Sequence, residues 1–117
     1  MRAVVIRAYG GPEELKSEER PDPIPESGQV LIRVVATSVN PVDIKLRSGQ
    51  MKDFWPLAFP AILGVDVSGV IQGIGPGVAG FSVGDSVFAN GVQTYASLCV
   101  VKAADLAKVP SQMTLSI

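Results

Sequence analysis

Histidine is missing from this 117-residue chain, and cysteine occurs once, at Cys99. Those two scarcities exclude a good deal of chemistry. Structural zinc needs four Cys or His ligands, and catalytic zinc usually three nitrogen, sulfur or carboxylate ligands. One thiol and no imidazole supply neither set. They also remove Ser-His-Asp and Cys-His catalysis from within the chain and forbid an internal disulfide. Cys99 stands in an apolar alternation with Leu98, Val100 and Val101, which reads as an inert buried thiol, since free cysteine behaves as a small hydrophobe.

Charge of either sign is equally short. Ten Lys and Arg against 11 Asp and Glu leave a net charge of −1, so no basic surface is expected to hold nucleic acid or an anionic membrane. No apolar run reaches the ~18 residues that cross a bilayer, because Arg33 and Asp66 interrupt the best candidates. The apolar stretch Ala3 to Ile6 is too short for a signal peptide. A cytoplasmic protein is the resulting expectation. With 47% hydrophobic and 18% charged residues, the sequence reads as one folded domain spanning residues 1–117.

What is abundant is punctuation. Twelve glycines and nine prolines break the chain into short β-branched runs, the pattern of a mainly β domain. Strands are expected at Arg2 to Ala8, Leu15 to Glu19 (polar, an edge), Gln29 to Val39, Val65 to Ile74, Ser86 to Ala89, Thr94 to Val101 and Leu106 to Val109. Pro21, Pro23 and Pro25 force extended backbone without ladder bonding. One helix start stands out: Asn40 as N-cap, Pro41 in the first turn, Asp43 near the positive helix end and Gly49 as the stop. That predicts a helix over Pro41 to Ser48 with Val42 and Leu46 on one face. About seven strands and this helix make a partly open barrel or sandwich. The cluster Gly73, Gly75, Gly77 and Gly80 is followed by no helix, so it lacks the context of a phosphate cradle.

The ordered segments Asn40-Pro41-Val42-Asp43-Ile44-Lys45-Leu46-Arg47-Ser48-Gly49, Gly64-Val65-Asp66-Val67-Ser68-Gly69, Phe81-Ser82-Val83-Gly84-Asp85 and Thr94-Tyr95-Ala96 carry a resemblance. The chain resembles the GroES-like N-terminal domain of the medium-chain dehydrogenase/reductase superfamily, in its zinc-free quinone oxidoreductase and enone reductase branch. Zinc alcohol dehydrogenases have a ligating Cys near the helix start and Gly-His-Glu where this chain has Gly64-Val65-Asp66. Neither ligand is present here. The resemblance implies a GroES-like, partly open β-barrel with one or two short helices. It also implies a parent enzyme that uses NADPH to reduce a quinone or an α,β-unsaturated carbonyl. The parent's nucleotide-binding Rossmann domain is absent from this chain, so the fragment alone is expected to be inactive. A dimeric parent and a monomeric fragment are expected in turn.

By the same resemblance Asn40 and Asp43 face the nicotinamide end of the cofactor, and Lys45 contacts both cofactor and substrate carbonyl. A cation at that place stabilises negative charge developing on the acceptor oxygen. By sequence alone the three are a helix cap, a surface carboxylate complementing the helix dipole, and a solvated lysine. Trp55, with Phe54 and Phe59, reads either as a lid over the barrel core or as a wall of an apolar acceptor pocket. Asp66 reads as a hydrogen-bonding partner within the domain, and Tyr95 as a packed strand residue with a wet hydroxyl. Two other readings stay open: a non-catalytic binding or scaffold protein on the same fold, and a co-chaperonin-like module, for which the helix segment has no use. The ligand inventory predicts that the purified chain carries no stoichiometric zinc; a molar equivalent by elemental analysis would overturn the branch assignment.

Overall fold

A run of four apolar residues after Arg2, three of them β-branched, builds the first strand, β1 (Arg2–Ile6), which buries Ala3, Val5 and Ile6 and exposes Arg2. The coordinates are a computed structural model, and they describe residues 1–91 and 93–109. Two antiparallel neighbours flank β1: the polar β2 (Lys16–Glu19) and the two-residue β4 (Ala61–Ile62). β2 lies at the edge of this three-stranded sheet, where a Lys-Ser-Glu-Glu strand discourages pairing with another chain.

A second sheet runs β7-β3-β5-β6-β8, all antiparallel, with β3 (Gln29–Thr37) and β5 (Asp66–Ile74) at its centre. β6 (Ser86–Asn90), β7 (Leu98–Lys102) and β8 (Leu106–Lys108) complete it. β3 is bent by register shifts at Leu31/Ile32 and Val34/Ala36, the local kink a bulge produces. β5 accommodates the bend through Gly69, since a Cβ there would overlap the Arg33 carbonyl oxygen. Val30, Ile32, Val67, Ile71, Val87, Cys99 and Val101 form the core beneath this sheet. Cys99 is buried as expected, and burial pushes its thiol up to about 11. The fold is thus mainly β, with two open sheets, one α-helix and two short 3-10 turns at Pro12–Glu14 and Ala103–Asp105.

The helix, α1 (Pro41–Ser48), has the bounds its capping residues imply, and Gly49 closes it in the left-handed conformation (φ 89°). Leu46, with Val42 beside it, joins Ile6, Ala61 and Leu63 in a second, smaller core between α1 and the three-stranded sheet.

Three expectations need correction. β1 ends at Ile6 rather than Ala8, and β3 at Thr37 rather than Val39. The dipeptide strand β4 is an eighth strand, hidden between Phe59-Pro60 and Leu63, where so short a run leaves no periodicity to detect. The largest change is at Thr94 to Val101, where strand β7 begins only at Leu98. Residues 95–97 instead cross between the sheets. The Tyr95 N–H donates to the Leu63 carbonyl at 3.0 Å and the Val4 N–H to the Tyr95 carbonyl at 2.8 Å. The Ser97 N–H donates to Arg2 at 2.8 Å, and the Ser97 carbonyl accepts from Val34 of the other sheet at 2.9 Å. Ala96 forms an isolated bridge to Ala3. The expected approach to a further domain at Thr114–Ile117 lies outside the described residues.

Ile71 is 1% exposed at the middle of the larger core. Ile71→Ala should destabilise the chain by about 2–5 kcal/mol, read as a lowered urea midpoint with an unchanged m-value.

Candidate active site

The N-terminus of α1 abuts the start of β5, and polar side chains tie the two together. Asn40 has extended backbone (φ −118°, ψ 158°) and forms a capping box with Asp43, so orphan N–H groups of the first turn are satisfied locally. The Asn40 backbone N–H donates to Asp43 Oδ2 at 2.9 Å. The Asn40 amide nitrogen donates to Asp66 Oδ2 at 2.8 Å and to Ser38 Oγ at 3.2 Å. Ser38 Oγ in turn donates to Asp66 Oδ2 at 2.9 Å. Asp66 therefore is the intradomain hydrogen-bonding partner that its sequence context implies. Deeper in, the Thr37 hydroxyl donates to the Asp66 carbonyl at 2.6 Å and lies 2.9 Å from the Thr94 hydroxyl.

Tyr95 closes the network from the crossing segment. Its hydroxyl donates to Asp43 Oδ2 at 3.0 Å and approaches the Ser38 carbonyl at 3.2 Å, so it is not the wet hydroxyl the sequence suggested. Its ring packs against the smaller core and roofs the first turn of α1. That corrects Asp43 as well. Rather than a surface carboxylate, Asp43 is 3% exposed, and its Oδ1 is buried without a hydrogen-bond partner among the described residues. Neither Asp43 nor Asp66 forms an ion pair among the described residues. Burial, the hydrogen bond to Asp43 and the charges of Asp43 and Asp66 together push the Tyr95 phenol up to about 12.

Lys45 lies elsewhere. Two residues beyond Asp43 is about 200° around a helix, and Lys45 is on the exposed side of α1 with no side-chain partner among the described residues. Trp55 occupies a third place. It lines a cleft of about 370 Å³ on the inner side of α1, together with Arg20, Leu46, Leu57, Leu63 and Gln93. Gly64 and Val65 also line it, and Asp66 follows them directly, so cleft and polar network share one stretch of chain. Trp55 is 43% exposed and Phe54 89%, which fits a cleft wall and rules out Phe54 as a core lid. Phe59 stacks edge-on against Tyr9 with ring centroids 4.9 Å apart, and the Tyr9 hydroxyl accepts from the Leu57 N–H at 3.0 Å. The aromatic loop is thereby pinned from below.

The arrangement is an apolar-lined cleft beside a half-buried, hydrogen-bonded polar corner in which only Asp43 is fully buried, with no His or Cys at the corner. Together with the two open sheets it gives the mainly β architecture of a GroES-like domain. The sequence matches the family described as alcohol dehydrogenase GroES-like domain over residues 26–111, and the chain belongs to that family. It is 39% identical over 116 residues to the quinone oxidoreductase of Lama guanicoe, covering 97% of this chain and 34% of the relative. It is 31% identical over 117 residues to the synaptic vesicle membrane protein VAT-1 homolog-like of Mus musculus, covering 99% of this chain and 28% of that protein. Among solved structures, mycobacterial Rv1454c complexed with NADPH superposes with a TM-score of 0.90 at 36% identity, over 98% of this chain and 35% of that one. The chain thus spans about a third of the length of the proteins it matches.

Tyr95→Phe removes one of the two donors to a buried carboxylate and should cost about 1–3 kcal/mol at neutral pH. The raised phenol adds a pH signature. The stability that accompanies its protonated form is complete below the usual value of 10 and is lost as pH rises through about 12. Urea titrations between pH 8 and pH 12 should therefore show an alkaline loss that is smaller in Tyr95→Phe than in the unmodified chain.

Proposed function

We propose that this chain is the acceptor-side domain of a zinc-independent, NADPH-dependent oxidoreductase that reduces quinones, with α,β-unsaturated carbonyls as related acceptors. The observation that carries the reading is the apolar cleft bordered by the Asn40–Asp43–Asp66–Tyr95 corner, at the place where zinc enzymes of this superfamily hold their metal. Support comes from the quinone oxidoreductase similarity and from the NADPH-complexed structural neighbour.

The fit of the nucleotide to these residues is partial. Gly73 belongs to β5 and the following glycines to a turn and loop, with no helix after them, so no described segment cradles a pyrophosphate. The nucleotide's phosphates belong to chain beyond this domain. What the domain offers is the nicotinamide end: Asn40 and Asp43, with the orphaned Asp43 Oδ1 as an unused acceptor, and Lys45 on the outer face of α1. NADPH, when bound, supplies the hydride; the protein's own groups orient the acceptor and balance charge. The Asp43–Tyr95 and Asn40–Asp66 bonds hold the corner rigid, so the nicotinamide end meets fixed dipoles that need no reorganisation. The resemblance assigns Lys45 to the acceptor oxygen, although it stands on the side of α1 away from the cleft, and Trp55, on the cleft, is the wall for the acceptor's ring. These 117 residues alone are inactive in this reading, because no described segment of them holds the phosphates whose binding would orient the donor. The parent is proposed to be a dimer working in the cytoplasm.

The experiment is kinetic. In the full-length parent, Lys45→Ala should lower turnover of a quinone acceptor more than tenfold with the fold intact by circular dichroism. Unchanged kinetics would remove Lys45 from the mechanism, and a parent that fails to oxidise NADPH with any quinone or enone would end the enzyme reading.

A further inference from the structure

The cleft beside the polar corner holds a feature that the reduction of a neutral quinone does not use. Arg20 is the single charged residue among its described lining residues. It is half-buried, and its backbone is fixed on both sides: the Arg20 N–H donates to the Met1 carbonyl at 2.8 Å, and the Arg20 carbonyl accepts from Met1 at 2.7 Å. Its guanidinium has no carboxylate and no hydrogen-bond partner among the described residues. The acids nearest in sequence are engaged elsewhere. Glu18 pairs with Arg7, Glu19 with Arg2, and Asp22 with the Met1 ammonium.

A half-buried cation without a partner is costly, and such groups are ordinarily paired. The remaining lining explains what could pair with it. Leu46, Leu57, Leu63 and Trp55 make apolar walls, and a pocket of about 370 Å³ is near the small end of the ~300–1,000 Å³ range for ligand sites. A one- or two-ring planar molecule suits that space. Guanidinium recognises carboxylate and sulfonate oxygens through parallel N–H donors, a geometry that an ammonium cannot reproduce.

We propose that the cleft takes an acceptor with a flat apolar body and an anionic substituent, and that Arg20 is the residue that selects for the anion. The inference rests on the acceptor-site reading above in one respect, that the ligand's body is a quinone. Recognition of the anion is independent of it. Arg20 therefore sets specificity, and the corner around Asn40 and Asp43 is left for the reacting end.

The test is equilibrium binding to the 117-residue chain by isothermal titration calorimetry at low salt, without nucleotide. The probes are 1,4-naphthoquinone, 1,4-naphthoquinone-2-sulfonate and naphthalene-2-sulfonate. The sulfonated quinone should bind about tenfold more tightly than the neutral one, and the preference should shrink as salt rises. Arg20→Gln should abolish the preference, bringing the two quinones to equal affinity, and Arg20→Lys should retain part of it. Equal affinities in the unmodified chain, or a preference that survives Arg20→Gln, would overturn the proposal with the acceptor reading intact. Binding of neither quinone would overturn both. Naphthalene-2-sulfonate binding as tightly as its quinone counterpart would uphold Arg20 as the anion selector and withdraw the quinone.

Discussion

The hydrogen bond from the Tyr95 hydroxyl to the Asp43 carboxylate organises the whole corner where α1, β5 and the inter-sheet crossing meet. A carboxylate that is 3% exposed survives only where donors replace the water it has lost. Asp43 has two, the Asn40 N–H and the Tyr95 O–H, both on Oδ2. The first belongs to the helix it caps, the second to a segment more than fifty residues away. Burying the charge therefore forces the crossing segment against the helix start, and the ring that carries the hydroxyl fills the smaller core on the way. Helix capping, sheet-to-sheet stitching and site geometry are consequences of one satisfied carboxylate.

The same constraint explains how this domain holds its shape without a metal. In zinc members of the superfamily, a metal joins the helix start to the start of the strand that β5 represents. Here the Asn40 amide and the Ser38 hydroxyl both donate to Asp66 Oδ2. Hydrogen bonds replace coordinate bonds across the same gap. The substitution has a chemical consequence: the corner carries two carboxylates and no ion pair among the described residues, so it is electron-rich, where a metal would make it electrophilic. Any positive charge needed at the acceptor must come from outside the corner, from Lys45 on the outer face of α1 or from Arg20 across the cleft.

Much of this was legible in the sequence where the signal is local. Asn40, Pro41 and Gly49 set the helix bounds because caps act within a turn of chain, and the strand from Gln29 announced itself through its β-branched run, though it was expected to reach Val39 and ends at Thr37. The expectation of no zinc site rested on counting ligands, a property of composition alone. Non-local features were not legible. Thr94 to Ser97 has strand composition, yet its backbone partners alternate between Leu63, Val4, Arg2 and Val34, a pairing that periodicity does not encode. Asp43 reads as a surface residue because its first-turn position suits one, and only the arrival of Tyr95 buries it. Arg20 gave no signal at all, standing in a polar stretch before three prolines, since its place on the cleft depends on how β2 pairs with β1. Trp55 read either as a lid over the core or as a pocket wall, and its place on the cleft depends on how its loop folds back, which composition does not encode.

These placements divide the labour in a way that a single reactive constellation would not. The corner at Asn40 and Asp43 is rigid, buried and anionic, suited to holding a shape and to meeting a group that gains positive charge. The cleft behind it is lined by apolar side chains, ends in a guanidinium without a partner among the described residues, and is suited to selecting a molecule. Gly64 and Val65 belong to the cleft wall, and Asp66 to the corner, so three consecutive residues couple selection to geometry. Selection and positioning in the proposed site are thus neighbours along the backbone at the entry to β5, whose next residue, Val67, already belongs to the larger core around Ile32 and Ile71.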